Sequence, residues 1–125
     1  MRGREPTLRV TLMPKETNRH GSIFGGIILS HIDLAGAIAA RHACGPRKFV
    51  TVAMDKVVFH QPVFVGDVLS LYAGTTRVGR TSVTTKVEVE AVRWDTEETV
   101  RVTEAEVVYV AIDANGRPEP VSKIR

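Results

Sequence analysis

A chain of 125 residues, 43% of them hydrophobic, is long enough for one compact core, and no linker-like stretch or charge block divides it. Its apolar runs fall far short of the ~20 residues that cross a bilayer, and its 17 basic and 14 acidic residues are interspersed, which argues against a nucleic-acid-binding stripe. The single cysteine, Cys44, rules out an intramolecular disulfide and a multi-cysteine metal site.

The expectation is one domain over residues 1–125, with a core at about 8–113 and a tail at 114–125. Arg2, Arg4 and Glu5 precede a strand-like segment where a signal peptide would carry its apolar region, so a cytoplasmic protein is expected. In chain order, Leu8-Arg9-Val10-Thr11-Leu12 alternates apolar and polar residues and predicts a first strand, closed by Pro14. A loop through Asn18 leads to a helix from about Gly25 to His42, which Gly45-Pro46 ends. Apolar residues at Ile27, Ile28, Leu29, Ile32, Leu34, Ala35, Ile38 and Ala39 cover most of its circumference, so it is expected to be buried on nearly every side.

The rest of the chain predicts strands at Phe49–Phe59, Val68–Val78, Ser82–Trp94 and Thr99–Asp113. Val83, Thr85, Val87, Val89 and Ala91 form one face of the third of these, against Thr84, Lys86, Glu88 and Glu90 on the other, so one sheet face is dry and one wet. The fold class is α+β, a curved antiparallel sheet wrapped around a long central helix. One dry face cannot enclose such a helix, and Val68–Val78 is expected to leave a long unpaired edge, so the chain is expected to dimerise. Asn115–Arg125 is expected to run loosely over the surface.

The most informative stretch is Asn18-Arg19-His20-Gly21-Ser22-Ile23-Phe24-Gly25-Gly26. A helix that begins on two glycines exposes backbone N–H groups to a ligand oxygen, at the end where the helix dipole favours negative charge. That is the outline of an oxyanion site. Asp33 is the only acidic residue between Glu16 and Asp55, and its apolar neighbours suit a carboxylate to general-base work. Taken alone, such an aspartate is more often a polar tip at an interface, Gly25-Gly26 equally fits close helix packing, and Asn18 fits an Asx-turn. Asp67 beside Gly66 is expected to be a plain turn residue.

Other chemistries fail on spacing. Ser30, His31 and Asp33 project in different directions from one helix and cannot form a relay, and His31 and His42 are roughly 16 Å apart along it, too far to share a metal. There is no nucleophile-elbow, P-loop or dinucleotide motif.

Together the motifs resemble the hotdog-fold acyl-coenzyme A thioester hydrolases, the small bacterial type related to the brain acyl-CoA hydrolases. The resemblance rests on Pro14-x-x-Thr17-Asn18-x-x-Gly21-x-Ile23-Phe24-Gly25-Gly26, then Asp33-x-x-Gly36, Val57-x-Phe59-x-x-Pro62-x-x-x-Gly66-Asp67 and Gly79-Arg80-Thr81-Ser82-Val83, in the family's order. It implies a hotdog fold and hydrolysis of acyl-CoA to a carboxylic acid and CoA, with CoA as part of the substrate and neither cofactor nor metal. Asn18 and Asp33 match the family's active-site Asn and its catalytic carboxylate, a base on water or a nucleophile. Gly26 matches the oxyanion donor, and Gly25, Gly79, Arg80, Thr81 and Ser82 match the places that contact CoA. Arg80 equally fits an ordinary exposed hairpin arginine. The alternative is a non-catalytic acyl-CoA-binding or sensing protein on the same fold.

Assembly follows from helix geometry. Asp33 is seven residues beyond Gly26, about 10 Å along the axis, so one thioester carbonyl hardly reaches both. Antiparallel pairing of two helices across a two-fold axis would bring Asp33 of one chain to Asn18 and Gly26 of the other. A homo-oligomer with a dimer as its minimal unit is therefore expected; a hexamer (a trimer of dimers) or a tetramer is the assembly expected above it, between which helix geometry does not choose.

Overall fold

A computed structural model describes residues 5–14, 17, 19 and 21–124. The elements in chain order are β1 (Leu8–Thr11), α1 (Gly25–Cys44), β2 (Lys48–Phe59), β3 (Val68–Val78), β4 (Ser82–Val92) and β5 (Thr99–Ile112). The five strands form one antiparallel sheet in the order β1-β3-β4-β5-β2, and α1 lies on one face of it, against β3, β4 and β5. Register shifts within β2, β3 and between β4 and β5 mark bulges, which bend strands and let the sheet curve around the helix.

The helix runs where the chain is free of proline, and its second half is alanine-rich, which favours helix and keeps it thin. It stops at Gly45, whose φ of 90° favours glycine and whose N–H bonds back to the Arg41 carbonyl at 2.8 Å. Ile28, Ile32, Ala35 and Ala40 are buried against Leu69, Leu71, Val83, Val87, Val107 and Tyr109. The β4 alternation is as the sequence predicts, with Val83, Thr85, Val87, Val89 and Ala91 all buried.

Helix and sheet meet most closely at Gly36, where a Cβ would lie 2.4 Å from the Tyr109 hydroxyl and 2.8 Å from Thr85 Oγ1. Gly36→Ala is expected to push the helix off the sheet and destabilise the fold by about 1–3 kcal/mol, read from the midpoint of urea unfolding.

Three expectations need correction. The edge open along a whole strand is β2, which among the described residues pairs only with β5, whereas β1 returns to pair with β3 over Val68–Leu71 and covers part of the edge expected to be open there. Val50, Val52, Val58 and Phe59, all on β2, are exposed. The helix is covered on one side only in the single chain, so Leu34 and Ile38 remain 50% and 42% exposed. The tail is not loose: the N–H groups of Glu119, Val121 and Ile124 donate to the carbonyls of Ala111, Arg80 and Ala43, and Arg47 pairs with Glu119 at 3.3 Å. Those carbonyls lie at the ends of a strand, a turn and a helix, where local partners run out.

Candidate active site

The chain enters α1 through an extended Phe24, and among the described residues no side chain caps the helix and none in its first turn is acidic. The first N–H groups of a helix have no intrahelical acceptor, so those at Gly25 and Gly26 remain available to a ligand oxygen. Gly26 is exposed, and a Cβ there would lie 2.7 Å from the Phe24 ring; one at Gly25 would touch the Phe59 ring at 3.4 Å. Glycine thus leaves the backbone bare while two aromatic rings flank it.

Asp33, half-buried, is tied to the sheet twice. Thr51 Oγ1 donates to its Oδ1 at 2.7 Å, and the Tyr109 hydroxyl donates to its carbonyl oxygen at 2.5 Å. Thr51 and Tyr109 face each other across the β2–β5 pairing, so adjacent strands grip the helix at this one residue. Burial above all, with the Asp33 charge adding to it, pushes the Tyr109 phenol above its ordinary range, so the hydroxyl stays protonated and remains a donor. The ring packs edge-on against Phe49, and Gly36 leaves room for its hydroxyl.

Neither Thr51 nor Tyr109 belongs to a motif of the sequence. A signal existed for Tyr109: its alternation puts a phenol on the dry face, where a buried hydroxyl needs an acceptor.

The Gly79–Ser82 turn closes the β3–β4 hairpin. Gly79 N–H donates to the Ser82 carbonyl at 2.8 Å, a Cβ at Gly79 would meet Ser82 Oγ at 2.7 Å, and Arg80 is exposed. Its backbone is fixed from outside by Ala111 N–H on the Thr81 carbonyl and Val121 N–H on that of Arg80. Ser82 pairs with Val110, whereas Phe59, whose ring covers Gly25, pairs with Thr103. Seven residues of β5 separate those levels, about 23 Å of strand.

One chain therefore holds Asp33 near the level of the Gly79–Ser82 turn and leaves Gly25 and Gly26 toward the other end of the sheet. Asn18 lies outside the described residues. A cleft of about 710 Å³ beside Ile38, His42 and Thr75, and another of about 500 Å³ around Arg47 and Glu119, contain neither Asp33 nor Gly26. Cys44 is buried and free, and burial pushes its thiol up. Among the described residues, no group of three His, Cys, Asp or Glu side chains could hold a metal ion, and no helix is long and apolar enough to cross a membrane.

The thioesterase superfamily model matches residues 20–93, which span the helix and the hairpin that carries the turn. The chain is 48% identical over 118 residues to an uncharacterized acyl-CoA thioester hydrolase of Zymomonas mobilis, covering 91% of this chain and 76% of that protein. It is 39% identical to the acyl-CoA thioester hydrolase YciA of Salmonella typhimurium, covering 94% of this chain and 90% of that one. The hexameric hotdog-fold thioesterase of Campylobacter jejuni superposes with a TM-score of 0.88 at 50% identity, covering 94% of this chain and 90% of that one. One helix packed on a five-stranded antiparallel sheet is that same hotdog fold. The chain belongs to the hotdog-fold acyl-CoA thioester hydrolases of the thioesterase superfamily.

Proposed function

We propose that the chain hydrolyses the thioester of acyl-CoA to a carboxylic acid and free CoA. The observation that carries this reading is Asp33, a carboxylate held by two strands on the same helix that opens with uncapped glycines. In the reaction Asp33 takes a proton from water as the water oxygen adds to the carbonyl carbon, or itself attacks that carbon and is then released by water. Gly26 N–H stabilises the developing oxyanion and Asn18 orients the water or the carbonyl. With Asp33 as base, the carbon–sulfur bond breaks and CoA leaves with that proton on its sulfur; with Asp33 as nucleophile, the bond breaks to leave an acyl-aspartate, water hydrolyses it, and the proton released from that water ends on the CoA sulfur. Thr51 orients the carboxylate, and Gly25, Gly79, Arg80, Thr81 and Ser82 contact CoA.

The active unit in this reading is a dimer that shares its sites. The 10 Å rise from Gly26 to Asp33, about two helical turns, supports it, as do the free edge of β2 and its exposed valines. The hexameric Campylobacter jejuni relative supports a hexamer above that dimer, which a trimer of such dimers would give. A cytoplasmic location belongs to the same proposal, supported by the single free thiol.

Thiol release from acyl-CoAs of graded chain length tests the activity directly. Turnover of at least one chain length is expected; tight CoA binding with no thiol release would make the chain a binding protein. A second test concerns the turn. Arg80→Ala is expected to raise KM for acyl-CoA about tenfold with kcat changed less than twofold, because a phosphate contact remote from the carbonyl contributes uniform binding. Acyl-pantetheine, which lacks the nucleotide phosphates, is expected to be hydrolysed equally by both proteins, and an equal loss with it would remove Arg80 from the CoA contact.

A further inference from the structure

Asp67 is not a plain turn residue. It is 1% exposed, and its carboxylate takes three donors: Phe64 N–H at 2.9 Å and Arg93 Nη1 at 2.7 Å on Oδ2, and Trp94 N–H at 3.1 Å on Oδ1. Arg93 Nη1 also donates to the Pro62 carbonyl at 2.8 Å, and its guanidinium lies 5.1 Å from the centroid of the Phe64 ring. The end of β4 and the loop at 62–67 are thereby locked into one unit. A neutral asparagine would serve for a turn alone; burying an ion pair costs desolvation that only good geometry on both partners offsets.

What this unit carries is the entry to α1. Ile23 N–H donates to the Val63 carbonyl at 2.7 Å, and Ser22 pairs with Phe64 in an isolated antiparallel bridge. Phe24 and Gly25 follow directly, and among the described residues no side chain caps the helix to fix where it starts. Ile23 also bridges Thr17 on its other side, so the first N–H groups are placed by that segment together with the loop, and the loop is placed by Asp67 and Arg93.

We infer that Asp67 and Arg93 are a positioning pair that sets the place of the Gly25 and Gly26 backbone donors, although neither residue touches substrate. This rests on the thioesterase reading above. An oxyanion donor acts through alignment, and loss of one costs about a hundredfold to a thousandfold in kcat, so a displaced donor costs a substantial part of that.

Two measurements on Arg93→Met and Arg93→Lys test the pair. Arg93→Met removes the charge and both donated bonds, and is expected to lower kcat about tenfold or more while KM for acyl-CoA stays within twofold. Arg93→Lys keeps a charged donor for Asp67 and the Pro62 carbonyl and is expected to recover most of the loss; a role in stability alone would leave turnover per folded molecule unchanged in both. In the same proteins, amide hydrogen exchange at Ile23 and Ile27, whose N–H groups bond to the Val63 and Phe24 carbonyls, is expected to quicken at least tenfold in Arg93→Met, with Val87 and Tyr109 in the sheet unaffected. If Arg93→Met does not fold, Arg93→Gln, which loses the charge and keeps an N–H donor, takes its place. A folded variant with normal kcat, or with unchanged exchange at Ile23 and Ile27, overturns the inference. A wild-type protein that releases no thiol overturns the thioesterase reading instead, and exchange then decides the link from Arg93 to the helix start by itself.

Discussion

Asp33→Asn is expected to lower kcat for acyl-CoA by about a hundredfold or more, with folding and CoA affinity retained. The amide oxygen still accepts the Thr51 hydroxyl, and the Tyr109 bond goes to the Asp33 main-chain carbonyl, so both anchors of the helix survive the change. What disappears is the group that takes the proton or attacks the carbonyl. Steady-state kinetics beside a thermal melt and a CoA titration check this. Near-normal turnover in a folded variant would remove Asp33 from the mechanism and leave its Thr51 bond as a structural contact.

Mixing Asn18→Ala subunits with Asp33→Asn subunits is expected to restore activity to about a quarter of wild type, from two parents that are each nearly inactive. The axial distance from Gly26 to Asp33, about 10 Å over seven helical residues, is too long for one carbonyl to touch both. If each site takes Asp33 from one chain and Asn18 with Gly26 from the other, a heterodimer has one intact site of two. About half of a randomly assorted population would be such heterodimers. The subunits are co-expressed or refolded together, since an obligate interface does not exchange readily. Verified heterodimers with only parental activity would show that both residues serve one site from one chain, and the antiparallel-helix arrangement would be abandoned.

The two variants differ in how far their residues could be understood before folding was considered. Asp33 and the Gly25-Gly26 helix start stand out in the chain because both are local: one carboxylate in an apolar helix, two glycines at its mouth. What holds Asp33 is not local. Thr51 is 18 residues away and Tyr109 76 residues away, and nothing in the spacing pairs them with it. The same holds for Asp67, which in the chain sits beside a glycine like any turn aspartate and in the fold meets Arg93 26 residues on.

The sequence by itself determined the elements and their faces. The helix, its stop at Gly45, the strands to within about two residues and the dry face of β4 follow from periodicity and backbone chemistry, which act over a few residues at a time. The ordered motifs pointed to the family for the same reason, since each is a short local pattern. Strand order was decided by tertiary structure: β1 pairs with β3, and β2 pairs with β5 at the far end of the sheet, neither with the strand next to it in the chain. So were the docked tail and the grip on Asp33, whose hydrogen bonds satisfy backbone and side-chain groups that only chain closure brings together. Local pattern sets which way a residue faces; the partner it finds there depends on the path of the whole chain.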